Sequence, residues 1–227
     1  MPWIAGSDPY AATPRVRPPE PDVPWPGAIA VEDGFAEVVD VAVPATTIEL
    51  LDCHELALRR CALSGVTLAL DPSPVVDAYG CTFENCDLSR VRFGSSRETT
   101  FVNCKLVGAD LAGARLDDVV FEGCIVRYAN MRQIEAERVR FADCTFDDVD
   151  FYEARLVDVA WPGSELRTVN IDRVRAERVD AREATVLGFE AVGRMDGWLV
   201  TELQLHELLY PLAFASGLGV EQPDDHG

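Results

Sequence analysis

The chain has 227 residues, 48% of them hydrophobic, and a formal net charge of −19. That composition suits one domain with a sizeable core plus tails, and no run of about 18 apolar residues is present to span a membrane. The acidic excess argues against direct nucleic-acid binding, because phosphate contacts need basic side chains, although residues 53–190 mix 24 acids with 17 bases.

Met1 to Ala12 lacks a basic region followed by an apolar stretch, so no secretory signal is read there and a cytoplasmic protein is expected. Residues 1–27 hold eight prolines and are not expected to pair as strand or helix. Residues 1–35 therefore read as a proline-rich arm, extended or disordered, or lying along the body through Trp3, Tyr10 and Trp25. The arm is either a loose tail or a partner-binding element.

From residue 36 a period of five takes over. Val38, Val43, Ile48, Cys53, Leu58, Leu63 and Leu68 keep the step, with Ala36, Val41, Thr46, Leu51, Leu56, Cys61 and Val66 two places earlier. Five fits neither the 3.6 of a helix nor the 2 of an ordinary strand. It fits a coil of square cross-section that turns a corner every five residues and points two side chains inward per side. Residues 71–77, with two prolines, read as a corner loop of no net length, after which Phe83, Leu88 and Phe93 resume the phase. Phe93 to Phe101 is eight residues, so three are read as inserted and the polar stretch 94–100 is expected to bulge outward. Eighteen successive sides follow from Phe101 to Val186, through Phe121, Met131, Phe141, Phe151, Trp161 and Ala176. The whole coil then makes about seven turns and runs about 35 Å at ~4.8 Å per turn.

Six of the seven cysteines occupy the smaller inward position. With the three-residue insertion allowed for, Cys61, Cys81, Cys104, Cys124 and Cys144 should form one ladder of five thiols on one wall, with Cys86 apart. They read as reduced, buried, small apolar groups. Cys53 sits at the larger inward position and belongs to the core.

Residues 191–219 read as a helical cap. Thr201 and Gln204 have capping-box spacing, Leu205, Leu208, Leu209 and Leu212 fall on one stripe, Pro211 suits the start of a second short helix, and Gly217 suits its end. With Trp198, Tyr210 and Phe214 these leucines form a candidate surface that covers the last coil and pairs with the same element of a second subunit, giving a homodimer. Residues 220–227 read as a disordered tail. His54, His206 and His226 stand in no catalytic arrangement, and no cofactor or metal spacing appears, so no enzyme is expected.

Ala109-Asp110-Leu111, Cys86-Asp87-Leu88 and Ala129-Asn130-Met131 resemble the pentapeptide repeat family, whose pattern is approximately Ala-(Asp/Asn)-Leu-X-X, over roughly residues 53–188. The resemblance implies an all-β solenoid, a right-handed quadrilateral β-helix over residues 36–190 with a short C-terminal α-helical cap. The C-terminal stretch from Gln204 to Gly219 is similar to that of many actinobacterial members. The Qnr and MfpA quinolone-resistance group within the family implies dimeric acidic rods that imitate duplex DNA and bind DNA gyrase or topoisomerase IV. Candidate phosphate mimics are then Asp110, Asp117, Asp118, Glu122, Asp143, Asp147, Asp148, Asp150 and Glu153, diluted by Arg115, Arg127, Arg132, Arg138, Arg140 and Arg155. Two functions stand at this point. One is a non-catalytic protein–protein interaction scaffold gripping its partner through the arm, the 94–100 segment or the C-terminal helices. The alternative is a DNA mimic that modulates gyrase or topoisomerase IV or protects it from quinolones. Neither involves direct contact with nucleic acid or membrane.

Overall fold

The computed structural model describes residues 14–69, 73–215 and 217–218. Trp3, Tyr10, His226, the tail 220–227 and two residues of the expected corner loop, 71–72, lie outside the described residues.

Each strand pairs in parallel with the strand one coil further on. Arg115–Glu122 pairs with Glu135–Ala142, setting Leu116 against Ala136 and Phe121 against Phe141, and Glu135–Ala142 pairs in turn with Arg155–Ala160. On the next wall Lys105–Val107, Ile125–Arg127, Thr145–Asp150 and Glu165–Ile171 repeat the arrangement. Parallel strands need a long crossover, and here the other walls of the same coil supply it. The corner residues adopt a left-handed backbone: Asp118, Arg138, Asp158 and Arg178 have φ of 54°, 53°, 54° and 54°. Such a conformation costs an L-residue about 1–2 kcal/mol, so the corners are held by bonds between rungs and not by local preference.

The inward residues from Phe101 to Val186 are buried as the period of five predicts, apart from Ala176, which is half-buried. Phe83, Phe101, Phe121, Phe141 and Trp161 stack ring upon ring, with centroids 4.9, 4.6, 4.9 and 5.7 Å apart. Ala181 holds the corresponding place on the next rung, and the indole of Trp198 stacks on Trp161 at 5.5 Å.

Three features of the tube differ from the expectation. Leu51 is 78% exposed, and Leu50 points inward beside Cys53; no strand forms over residues 49–54, so no ladder enforces the alternation there. The stretch 94–100 is not an outward loop. It belongs to a continuous strand, Arg92–Val102, paired on both sides, with Ser96 and Thr99 buried. The rung is shortened and not lengthened: Ala78 pairs with Ser96 and Phe83 with Phe101, a step of eighteen residues where twenty is usual. Gly94 takes the cut corner, where an added Cβ would stand 2.6 Å from Val75 Cγ1.

That sign change re-sorts the thiols. Cys81 falls beside Thr99, whose Oγ1 accepts from the Cys81 N–H at 3.5 Å, and Lys105 N–H donates to the Cys86 carbonyl at 3.0 Å, so Cys86 stands beside Cys104. The expected ladder of five is therefore two ladders, Cys61–Cys81 on one wall and Cys86–Cys104–Cys124–Cys144 on the next. Cys104 and Cys124 donate to the Phe83 and Phe101 carbonyls at 3.4 Å, and the Ser164 hydroxyl does the same for Phe141 at 2.9 Å. All seven thiols are free and buried.

Both ends carry more structure than the sequence suggested. Val23–Pro24 does pair, in parallel with Val41–Ala42, and Val23 donates to the Asp40 carbonyl at 3.1 Å; as an edge strand it tolerates the proline that follows. One wall thus runs through ten successive strands, longer than about seven turns. Among the described residues of the far end there is one helix, Glu202–Ala215, which continues through Pro211 because Leu208 and Leu212 on either side pack towards the tube. Gly217, at φ 76°, closes it, with Leu218 donating to the Ala213 carbonyl at 2.9 Å. The capping box forms: Thr201 N–H donates to Gln204 Oε1 at 2.7 Å and Gln204 N–H to Thr201 Oγ1 at 3.2 Å. Gln204 Nε2 also donates to the Ala181 and Ala184 carbonyls, both at 2.7 Å, which ties the helix start to the last coil.

Replacing Phe121 by Ala removes the middle of the ring stack and should lower unfolding free energy by about 3–5 kcal/mol in urea denaturation. All seven thiols are buried, so Ellman's reagent should find none of them in the native protein at pH 8 and all of them after denaturation.

Candidate protein-binding surface

The candidate acids lie on the outer wall, and the register brings most of them to arginine. Asp110 meets Arg92 at 3.5 Å, Asp147 meets Arg127 at 3.5 Å, Asp150 meets Arg132 at 3.1 Å and Glu153 meets Arg173 at 3.4 Å. Asp117 pairs with Arg97 at 3.3 Å and also with Arg138, and Asp118 pairs with Arg138 at 2.9 Å. Such pairs add little stability at an exposed site, ~0–1 kcal/mol each, but they cancel field. Glu122, Asp143 and Asp148 have no ionic partner among the described residues, and the register places them on different columns of the wall.

One corner is occupied by the arm. The Arg15 N–H donates to Asp118 Oδ1 at 3.0 Å. Further down, Arg17, Pro18, Pro19 and Glu20 border a cleft of 330 Å³ with Asp40, Arg60, Tyr79, Gly80 and Glu98. The arm thus crosses the rungs along the corner from Asp118 towards Asp40, where Val23 joins the sheet. Burial works against the Asp118 carboxylate, yet the Arg138 guanidinium and the Arg15 N–H hold its pKa below the ordinary value. Nothing in the sequence signals this contact, which joins residues 103 positions apart.

The C-terminal candidates divide. Trp198 and Leu208 are buried and Leu212 is partly so, whereas Leu205, Leu209, Tyr210 and Phe214 are exposed. The predicted stripe of Leu205, Leu208, Leu209 and Leu212 is therefore split between the tube and solvent. At 100° per residue, Leu203, Tyr210 and Phe214 lie opposite Leu208, with Leu205 and Leu209 on the flank between. The buried line that sequence reading missed is Gln204, Leu208 and Leu212.

Beside the helix opens a groove of 1040 Å³, bounded by Val174, Ala176 and Met195 of the last coil region and by Leu209, Leu212 and Leu218. Arg173, Arg175 and Arg194 stand at its edge with Asp172 and Asp196. Among the described residues no group of three or more His, Cys, Asp or Glu could hold a metal, and no helix is long and apolar enough to cross a membrane.

A family model described as a pentapeptide repeat region matches residues 76–151. The chain contains a pentapeptide repeat region. No curated protein matches the chain. Among solved structures, a trypsin-treated variant of QnrB1, a plasmid-mediated fluoroquinolone resistance protein, has a TM-score of 0.52 at 16% identity, covering 82% of this chain and 92% of that one. HetL, a pentapeptide repeat protein involved in heterocyst differentiation regulation from the cyanobacterium Nostoc sp. strain PCC 7120, has a TM-score of 0.25 at 14% identity, covering 67% and 84%. The likeness to QnrB1 concerns the fold. The pentapeptide-repeat β-helix accounts for the square rungs.

Asp118→Asn should loosen the arm without unfolding the β-helix, seen as faster trypsin cleavage after Arg15 with unchanged circular dichroism. Because the folded-state pKa of Asp118 is lowered, its contribution is complete above the unfolded carboxylate value of about 4 and fades as pH falls through the lower folded value. Protection of Arg15 from cleavage, read with an acid-active protease, should weaken in that acidic window alone.

Proposed function

We propose that this pentapeptide-repeat chain is a non-catalytic protein-interaction scaffold of the cytoplasm that works as a homodimer. The carrying observation is the apolar outer face of the C-terminal helix, where Tyr210 is 59% and Phe214 87% exposed while Leu208 of the same helix is buried. Capping the last coil needs only the Gln204–Leu208–Leu212 line. The remaining aromatic and aliphatic side chains are exposed, and exposed apolar surface of this kind marks an association site, while one helix per chain suits a two-fold, self-complementary contact. Seven free thiols fit a reducing compartment.

The reading as a gyrase- or topoisomerase IV-directed DNA mimic has less support. Duplex imitation needs a row of uncompensated negative charge, and six of the nine candidate acids are bonded to arginine.

Light scattering after size exclusion should give twice the 24.9 kDa chain mass, and Tyr210→Glu with Phe214→Glu should return the monomer with its β-sheet spectrum intact. A monomeric parent protein overturns the dimer. Purified protein should leave gyrase supercoiling unaffected; inhibition would replace the scaffold reading with the DNA-mimic one.

A further inference from the structure

We infer that the groove between the last coil and the C-terminal helix docks a segment of a partner protein that combines acidic side chains with bulky aliphatic ones. The inference rests on the scaffold reading and names the chemistry of the partner.

The charge at the groove departs from the rest of the wall. The register commonly joins opposite charges on successive rungs, as Arg60 meets Asp40, Arg138 meets Asp118, and Arg178 meets Asp158, and the like-charged register partners Asp117 and Glu137 share Arg138. Arg155 and Arg175 are register partners on adjacent parallel strands, so two guanidinium-bearing side chains are set side by side. Neither has a carboxylate partner among the described residues. Glu135, the next residue in their column, is taken by Arg115 at 2.8 Å. Like charges directly opposite are destabilising, and the fold supplies no compensation. The other two cations at the groove are already engaged, Arg194 by Asp196 at 2.8 Å and Arg173 by Glu153 at 3.4 Å and Asp172 at 3.9 Å. In a chain of net charge −19, Arg175 lines this groove and Arg155 stands one rung further from it.

The groove itself is apolar on both walls, with Val174, Ala176 and Met195 facing Leu209, Leu212 and Leu218. A ligand that satisfies both features must bring a carboxylate to Arg155 and Arg175, where planar guanidinium groups bind it through charge-assisted forked hydrogen bonds. It must also bring aliphatic surface to the groove. A nucleic acid offers the anion without the aliphatic surface, and the overall negative charge repels it. An acidic peptide with leucine-like side chains offers both.

The test is fluorescence anisotropy on the full chain with a fluorescein-labelled twelve-residue peptide of repeating Glu-Glu-Leu. Peptides of repeating Lys-Lys-Leu and Glu-Glu-Ser serve as controls. Saturable binding is expected for the first alone, weakened at least tenfold by R155E and by R175E. Both variants remove a like-charge contact between exposed side chains and should keep the parent circular dichroism spectrum. Absence of binding, equal binding of the three peptides, or undiminished binding by both variants overturns the inference. Tyr210 and Phe214 do not border the groove, so the Tyr210→Glu, Phe214→Glu protein should still bind the peptide. A monomeric parent that binds the peptide sinks the dimer alone, and a dimeric parent that ignores it sinks the groove alone.

Discussion

The parallel register between rungs is the constraint on which everything else in this molecule depends. Each coil turns its corners through residues such as Arg138 and Arg178, whose left-handed backbone is unfavourable for their type. No local propensity would hold them there. They are held because the strand on each side is bonded to the coil above and the coil below, and because rings from Phe83 to Trp198 stack through the interior. A structure of this kind is close to one-dimensional: each rung stabilises its neighbours, and the ends must be closed. Gln204 helps to close one end by binding two carbonyls of the last coil region, while Val23–Pro24 extends the other.

The same register governs the surface. Side chains twenty residues apart become neighbours, so an acid in one repeat and an arginine in the next form a rung of a charge ladder, as Asp118 and Arg138 do. An acidic chain can in this way present a wall with little net field. Distinctive chemistry is then confined to places where the repeat fails or stops. The N-terminal arm meets Asp118, the C-terminal helix leaves Phe214 in solvent, and Arg155 and Arg175 repeat a charge on adjacent rungs without a carboxylate partner among the described residues.

The shortened rung shows how a small error in phase spreads. Eight residues from Phe93 to Phe101 can be read as one side of five with three inserted or as two sides of five with two removed. Both preserve the inward sequence downstream, so hydrophobicity does not distinguish them. Only pairing does: Ser96 lies against Ala78 and Leu116, and the cut corner requires Gly94 beside Val75. The choice decides which thiols are neighbours. Similarly, the leucines of the C-terminal helix were legible as a helix, but which of them faced the tube depended on where Gln204 found its acceptors.

The sequence by itself determined the repeat of five, the inward positions from Phe101 to Val186, the burial of the cysteines and the capping box at Thr201, because each is fixed by spacing and side-chain size within a few residues. The tertiary structure decided which thiols stack, which acids are neutralised, where the arm runs and which arginines stand together. Those are contacts between residues about twenty or a hundred positions apart, and their partners are set by the register of one coil on the next, a quantity that no local pattern contains.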